Sequence, residues 1–360
     1  MSNQVIFQMF RNLISFSSLV LFLLLSGCLV QNKTELPKKE NLCQYSKYLR
    51  IIKISNGFLV EVLDPDLKAK PKIFKITKAF EHIAVLSATH VGMLCALKQQ
   101  ARISAIADAK YLYDAQMLRL VAAKKVTDLR AQMGLPTQKL LQNGTQAVVY
   151  SGFGNESKAL QRLEGTHLKS IPNYEWREKT PLARAEWVLL FGVLSGQFDK
   201  AQAFFNGVEQ KYTALQKSIQ QNNKSNQLPV LISGNLYGDQ WIAPAGQSFE
   251  AQLYKDAGLA YLFDNEQGTG SIFKSLPEIL KKGTSVNLWL NPGQPSRSKL
   301  LNQFPKAKFL PFYKKAIYCY TAQTNKYWEL AAMHPDLLLS DLSQIAKRQV
   351  KKLHFYALLK

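Results

Sequence analysis

The chain has 360 residues, 47% of them apolar and 20% charged, with 46 Lys+Arg against 25 Asp+Glu and a formal net charge of +21. An apolar fraction of that size buries a real core and excludes intrinsic disorder, and 4 Cys in so long a chain exclude a disulfide scaffold. At roughly 150 residues per domain the length accommodates two lobes. The basic excess leaves three kinds of partner open: nucleic acid, an anionic membrane or an anionic ligand.

Residues 1–28 read as a targeting segment. Arg11 supplies a positive start, and Leu13 to Leu25 is apolar or small without a charge. A run of about 13 residues is too short to span a bilayer, which takes roughly 20, and fits the core of a secretory signal. It ends in Leu25-Ser26-Gly27-Cys28, which resembles the lipobox of bacterial lipoproteins. That resemblance implies cleavage before Cys28 and lipid on the new N-terminus. Residues 29–48, polar with Lys33, Lys38 and Lys39 near the start, read as a tether. The body is then an exported domain held at a membrane, which removes nucleic acid as a partner. Three thiols remain, Cys43, Cys95 and Cys319, so at most one disulfide forms; whether Cys43 and Cys319 pair stays open. Cys95 sits in an apolar helical stretch and reads as a buried, inert thiol. No C-x-x-C occurs.

Residues 49–178 alternate short apolar runs with helical patterns. Ile51 to Ile54, Leu59 to Leu63 and Ile73 to Ile76 read as an opening meander. Strands follow at Ile83 to Leu86, Ile103 to Ile106, Ala147 to Tyr150 and Leu168 to Ile171. Helices are expected from about Val91, around Asp114 to Ala123, from Pro136 to Leu141, and from about Asn155 to Leu163. Such alternation predicts βαβ units and a mostly parallel sheet. Residues 179–224 differ. Thr180 is a good N-cap with Pro181 at the first helical position, and a helix runs from Leu182 to about Leu194. Beyond Gly196, apolar residues from Ala201 through Phe205, Val208, Tyr212 and Leu215 to Ile219 recur at spacings of three and four. Some 22 residues at about 1.5 Å each make a rod of roughly 33 Å, long enough to bridge two lobes. Residues 225–360 return to the α/β pattern. Strands are expected at Val230 to Ser233, Trp241 to Ala243, Val286 to Leu290 and Ile317 to Tyr320, with helices at Phe249 to Ala257, Leu276 to Leu280 and His334 to Ala346. The fold class is α/β: two lobes, each a mostly parallel sheet flanked by helices, joined by one long rigid helix with a ligand cleft between them.

Several runs carry a family resemblance. Asn173-Tyr174-Glu175-Trp176-Arg177 continuing to Thr180-Pro181-Leu182-Ala183-Arg184-Ala185-Glu186-Trp187 is similar to a hallmark stretch of the bacterial ABC-transporter substrate-binding proteins of helical-backbone type. So, in order, are Trp241-Ile242-Ala243-Pro244-Ala245-Gly246, Asp256-Ala257-Gly258, Gly268-Thr269-Gly270-Ser271, Trp289-Leu290-Asn291-Pro292-Gly293, Tyr327-Trp328-Glu329 and Pro335-Asp336-Leu337. The subgroup serves ferric siderophores, cobalamin and haem. The resemblance implies a monomeric, non-enzymatic receptor that holds no cofactor of its own. It would bind a small-molecule cargo in the interlobe cleft and hand it to a permease and ATPase complex. It also implies a docking carboxylate at the tip of each lobe. Glu278 matches in the second lobe. In the first, the matching place is Gln138, which still hydrogen-bonds an Arg but lacks the charge-assisted part.

Cleft candidates follow from placement. Thr89 and His90 open a helix after a strand, as do Ser151, Gly152 and Phe153, whose glycine lets a ligand approach the backbone. Ser271 lies in a matching run. Trp176, Tyr237, Trp241 and Trp328 are the flat apolar side chains that would wall a large chelate or corrin ring. The alternatives within reach are a cobalamin or haem receptor, a free zinc or manganese receptor drawing on His90 and His167, and a lipoprotein hydrolase. The five His show no metal-site spacing, and Gly246-Gln247-Ser248-Phe249-Glu250 lacks the final glycine of a nucleophile elbow.

Overall fold

A computed structural model of the protein describes residues 40–66, 69–130, 136–152, 160, 163, 166–222, 227–320 and 326–360. The segment read as a signal, with Cys28, Phe153 and nearly all of the helix expected over Asn155 to Leu163, lies outside these. From Asn41 onward the chain is one unit.

The first lobe opens with the antiparallel meander β1 (Leu49–Ile54), β2 (Gly57–Val62) and β3 (Lys72–Ile76). Its main sheet is built by β4 (Ile83–Val85), α1 (Ala88–Ala96), β5 (Ile103–Ile106), α2 (Ala115–Ala122), β6 (Thr127–Asp128), α3 (Thr137–Gln142), β7 (Ala147–Ser151) and β8 (Lys169–Asn173). The strands lie in the order β6-β5-β4-β7-β8, all parallel. β4 and β5 are buried at every residue, as a parallel sheet covered on both faces requires, so they read in sequence as unbroken apolar runs. Ser87 and Asp114 start their helices by accepting the amides of Thr89 and Met117.

The middle of the chain is helical: α4 (Pro181–Ala185), α5 (Val188–Ser195) and α6 (Phe198–Asn222). The stretch read as one helix from Leu182 is two, turning at Glu186. Every residue of α5 is buried, so it carries no polar face. Gly196, with φ +71°, closes it in the left-handed conformation that glycine adopts without strain. The 25 residues of α6 extend about 37 Å. Ala201 and Phe205 on its first half belong to the core of the first lobe, and Tyr212 and Ile219 on its second half belong to the core of the other.

The second lobe contains β9 (Val230–Ser233), β10 (Asn235–Tyr237), β11 (Gln240–Pro244), α7 (Phe249–Asp256), β12 (Ala260–Tyr261), β13 (Ser271–Ser275), α8 (Leu276–Lys282), β14 (Leu288–Leu290), α9 (Arg297–Gln303), β15 (Ala316–Cys319), α10 (Tyr327–Leu330), α11 (Pro335–Ala346) and β16 (Ala357–Leu358). Its main sheet runs β12-β9-β14-β15-β16, parallel except for β16. A small antiparallel sheet, β10-β11-β13, stands beside it. The α/β fold with two lobes and a spanning helix is thus the one read from the sequence.

A second connection ties the lobes. α10 leaves the second lobe and packs on α1 of the first. Thr89 Oγ1 donates to the carbonyl of Trp328 at 3.1 Å, and the Glu329 carboxylate accepts the amides of Tyr113 (2.7 Å) and Asp114 (3.0 Å). Gly92 permits this approach, because a Cβ there would run into the carbonyl of Glu329. Residues 41–48 are pinned rather than loose. The Glu186 carboxylate accepts the amides of Gln44, Tyr45 and Ser46, and Glu178 accepts those of Lys47 and Tyr48, the Ser46 hydroxyl and the Trp187 indole N–H. The Tyr45 hydroxyl donates to Glu209 on α6. Cys43 lies in one core and Cys319 in the other, and all three described thiols are free.

Burial raises the Glu186 carboxyl above the ordinary carboxylate range, against the lowering effect of the three amides. A raised folded pKa means stability that is full below the unfolded value of about 4.3 and is lost as pH rises through the folded one. Glu186→Gln removes that dependence and leaves amides facing an NH2 group, at a cost of about 1–3 kcal/mol. The stability gap between wild type and variant should therefore be widest near pH 4 and narrow toward pH 8, read from urea midpoints across that range.

Candidate functional site

In each main sheet one adjacent pair of strands sends its connections to opposite sides: β4 leads to β5 and β7 to β8, and β9 leads to β12 and β14 to β15. Such a pair opens a crevice at its carboxyl ends. The second-lobe cavity lies at one of these, between the ends of β9 and β14, and the first-lobe cavity lies between the ends of β4 and β5. The first-lobe cavity, about 400 Å³, is lined by Ser87, Thr89, Asp108, Tyr111 and Trp328. The second-lobe cavity, about 680 Å³, takes Ser233 and Gly234 from the end of β9, Asn235 from the start of β10, Asn291 from the end of β14, and Trp176 and Trp328 as walls. Trp328 belongs to both, because α10 carries it from the second lobe onto the first.

The floor of the larger cavity holds a buried polar cluster. Arg184 on α4 pairs with Glu175, and its guanidinium lies 4.2 Å from the centre of the Phe249 ring. Burial pulls Arg184 down, but the charge and hydrogen bond of Glu175 outweigh it and the net shift is upward. Beside it, burial raises the Glu250 carboxyl, with Arg184 opposing. Tyr320 and Tyr327 stack with ring centres 3.4 Å apart, and Trp328 meets both edge-on. Burial raises both phenols, so they are neutral hydrogen-bonding groups here. Among the described residues, Arg184, Lys299 and Glu250 line the larger cavity and Asp108 the smaller. Their formal charges cancel, so the chain's basic excess is not spent in the cleft. Lys347, Arg348, Lys351 and Lys352 instead follow α11, near a tail whose amides at His354, Phe355 and Tyr356 bind the Asp341 carboxylate.

The sequence candidates separate. Thr89, Trp176, Ser271 and Trp328 line the cavities. His90 does not: its side chain is 0% exposed, packs 5.5 Å from the Phe191 ring, and burial holds it down to about 3, hence neutral. Successive helix residues point about 100° apart, so His90 turns inward where Thr89 turns to the cleft. Trp241 is also 0% exposed; its indole N–H bonds the Ser233 carbonyl and its ring packs on Trp289 and Phe312. Tyr237 stands outside the cavity, 75% exposed. Ser151 ends β7 half-buried and Gly152 packs on the Tyr174 ring, and neither lines either of these two cavities. Gln138 is exposed on α3 and Glu278 lies in the first turn of α8. Sequence reasoning missed Asn235, Asn291, Glu250, Arg184 and the Tyr320–Tyr327 pair as lining residues. The ends of the Val230 and Leu290 strands were the available signal. No cluster of three or more His, Cys, Asp or Glu that would hold a metal ion occurs among the described residues.

No protein-family model matches the chain. It is 22% identical over 314 residues to an uncharacterised lipoprotein of Methanocaldococcus jannaschii, covering 80% of this chain and 72% of that one. Among solved structures it is similar to a periplasmic haem-binding protein from Pseudomonas aeruginosa (TM-score 0.57, 13% identity, 78% of this chain and 98% of that). It is also similar to an ABC-type Fe3+-hydroxamate transport protein from Saccharomonospora viridis (0.54, 14%, 77% and 95%) and to the molybdate-binding protein MolA of Haemophilus influenzae (0.59, 10%, 77% and 89%). The chain has the fold of the periplasmic binding proteins whose lobes are joined by a rigid helix. Three different cargoes on one fold mean that the fold by itself names no ligand.

Arg184→Met leaves the buried carboxylate of Glu175 unpaired and should cost about 3–5 kcal/mol in urea unfolding. Adding Glu175→Gln to that variant should recover much of the loss, since the uncompensated charge is then gone.

Proposed function

We propose that this chain is the substrate-binding component of an ABC importer, anchored through lipid on Cys28 at the extracytoplasmic face of the membrane, with a ferric chelate of siderophore type as its cargo. It works by reversible capture, a small closure and delivery to a permease and ATPase complex, with no covalent chemistry. The reading rests above all on the pair of cavities at the carboxyl ends of the two main sheets, sharing Trp328 and formally neutral in lining. Aromatic walls and scattered amide and hydroxyl groups suit an organic ligand of some size. In a ferric trihydroxamate three monoanionic groups neutralise Fe(III), so its charge matches the cleft better than haem with its two propionates. The spanning helix limits hinge bending, which favours small closure.

Docking is assigned to Glu278 and Gln138. Glu278 is held below the ordinary carboxylate range by a hydrogen bond from Lys282, with Lys274 adding to it. Engagement of a permease Arg would exchange the exposed partner Lys282 and the half-buried Lys274.

Calorimetric titration with a ferric trihydroxamate, haemin and cyanocobalamin should give a Kd below about 10 μM for the first. If none of the three reaches that affinity while free zinc does, the cargo assignment is wrong. Glu278→Ala should lower uptake severalfold and leave cargo affinity unchanged; normal uptake would remove the docking role.

A further inference from the structure

The small sheet β10-β11-β13 has two unlike faces. Its register places Leu236, Trp241 and Ala243 on one face, all buried in the core of the second lobe. The alternation of a strand then puts Asn235, Ile242, Pro244 and Ser271 together on the other face, and all four line the larger cavity. Phe273 and Tyr237 share that outer face. Phe273 pairs directly with Ile242 on the next strand, and Tyr237 lies two residues along from Asn235. Neither lines the cavity, and they are 61% and 75% exposed. The cavity wall therefore runs out of the cleft, without a break in the sheet, into a shelf of Ile242, Phe273 and Tyr237. Two large rings left in water on the face that continues a binding cavity are not needed by the core, which the opposite face supplies.

We infer that this shelf is a second part of the ligand site, taking an aromatic or otherwise apolar periphery of a chelate whose iron centre sits in the cavity. The inference rests on the importer reading and adds the cargo's periphery to it. Ring-on-ring contact there selects among chelates of equal charge, because the shelf carries no charged side chain and so discriminates by apolar area. The occupant is the ligand already seated in the cavity, since the shelf shares its strands with the cavity wall.

The test uses two ferric complexes with the same core and charge, tris(acetohydroxamate) and tris(benzohydroxamate), each with excess free hydroxamate to keep the iron six-coordinate. Quenching of tryptophan fluorescence reads the affinities. Wild type should bind the benzo complex about tenfold tighter. Tyr237→Ser combined with Phe273→Ser should abolish that preference and leave the aceto complex unchanged. Both side chains are exposed, so the variant should keep the wild-type urea midpoint. Absence of a preference in wild type, its persistence in the variant, or equal weakening of both complexes overturns the shelf while leaving the importer reading intact. A variant that keeps the preference but loses uptake assigns the face to the permease and also overturns the proposal. A wild-type protein that binds neither complex removes the ferric-chelate reading, and the shelf with it.

Discussion

The lobes of this protein are not free to choose their separation, because one helix has a half in each core. Ala201 and Phe205 at one end of α6, and Tyr212 and Ile219 at the other, are fixed by packing in different lobes. Between them lies continuous helix, which bends only at the expense of its own backbone hydrogen bonds. The return of α10 onto α1 adds a second tie at the opposite side of the chain. Cavity positions, the shared Trp328 and the limited scope for closure all follow from these two crossings.

The charge of the chain acquires a location only in three dimensions. Removal of the signal would leave +20, since Arg11 is its only charged residue. Against that excess, the described cavity lining carries few charges: Arg184 is committed to Glu175 with Glu250 beside it, Asp108 pairs with Lys110, and Lys299 lines the larger cavity. Lys347, Arg348, Lys351 and Lys352 lie elsewhere, where a long-range field acts on the whole body and on any anionic surface near it.

Architecture was legible because it depends on periodicity. The three-and-four spacing from Ala201 to Ile219 marked the spanning helix, and buried parallel strands appeared as unbroken apolar runs. The split between α4 and α5 was not legible, since Glu186 turns the chain while its carboxylate answers three amides about 140 residues earlier. β13 was missed because Phe273 faces outward and spoils the expected alternation of polar and apolar positions. The site was legible only in part. Trp241 and Trp328 look alike in sequence, each beside an expected loop, yet one bonds a core carbonyl and the other stands between cavities. Partners distant in the chain decide that, as they decide that Thr89 faces the cleft and His90 the core.

The pinned segment at residues 41–48 has a mechanical meaning. It is bonded to Glu178 and Glu186 around α4 and, through Tyr45, to Glu209 on α6, and the Tyr45 side chain packs against both cores. Any load carried along the chain before Asn41 first meets the ladder that joins Asn41 and Leu42 to Ile51 and Ile52 of β1, and only then the carboxylate bonds around α4 and the contact on α6. The first lobe's opening meander would therefore take the strain before the spanning helix does.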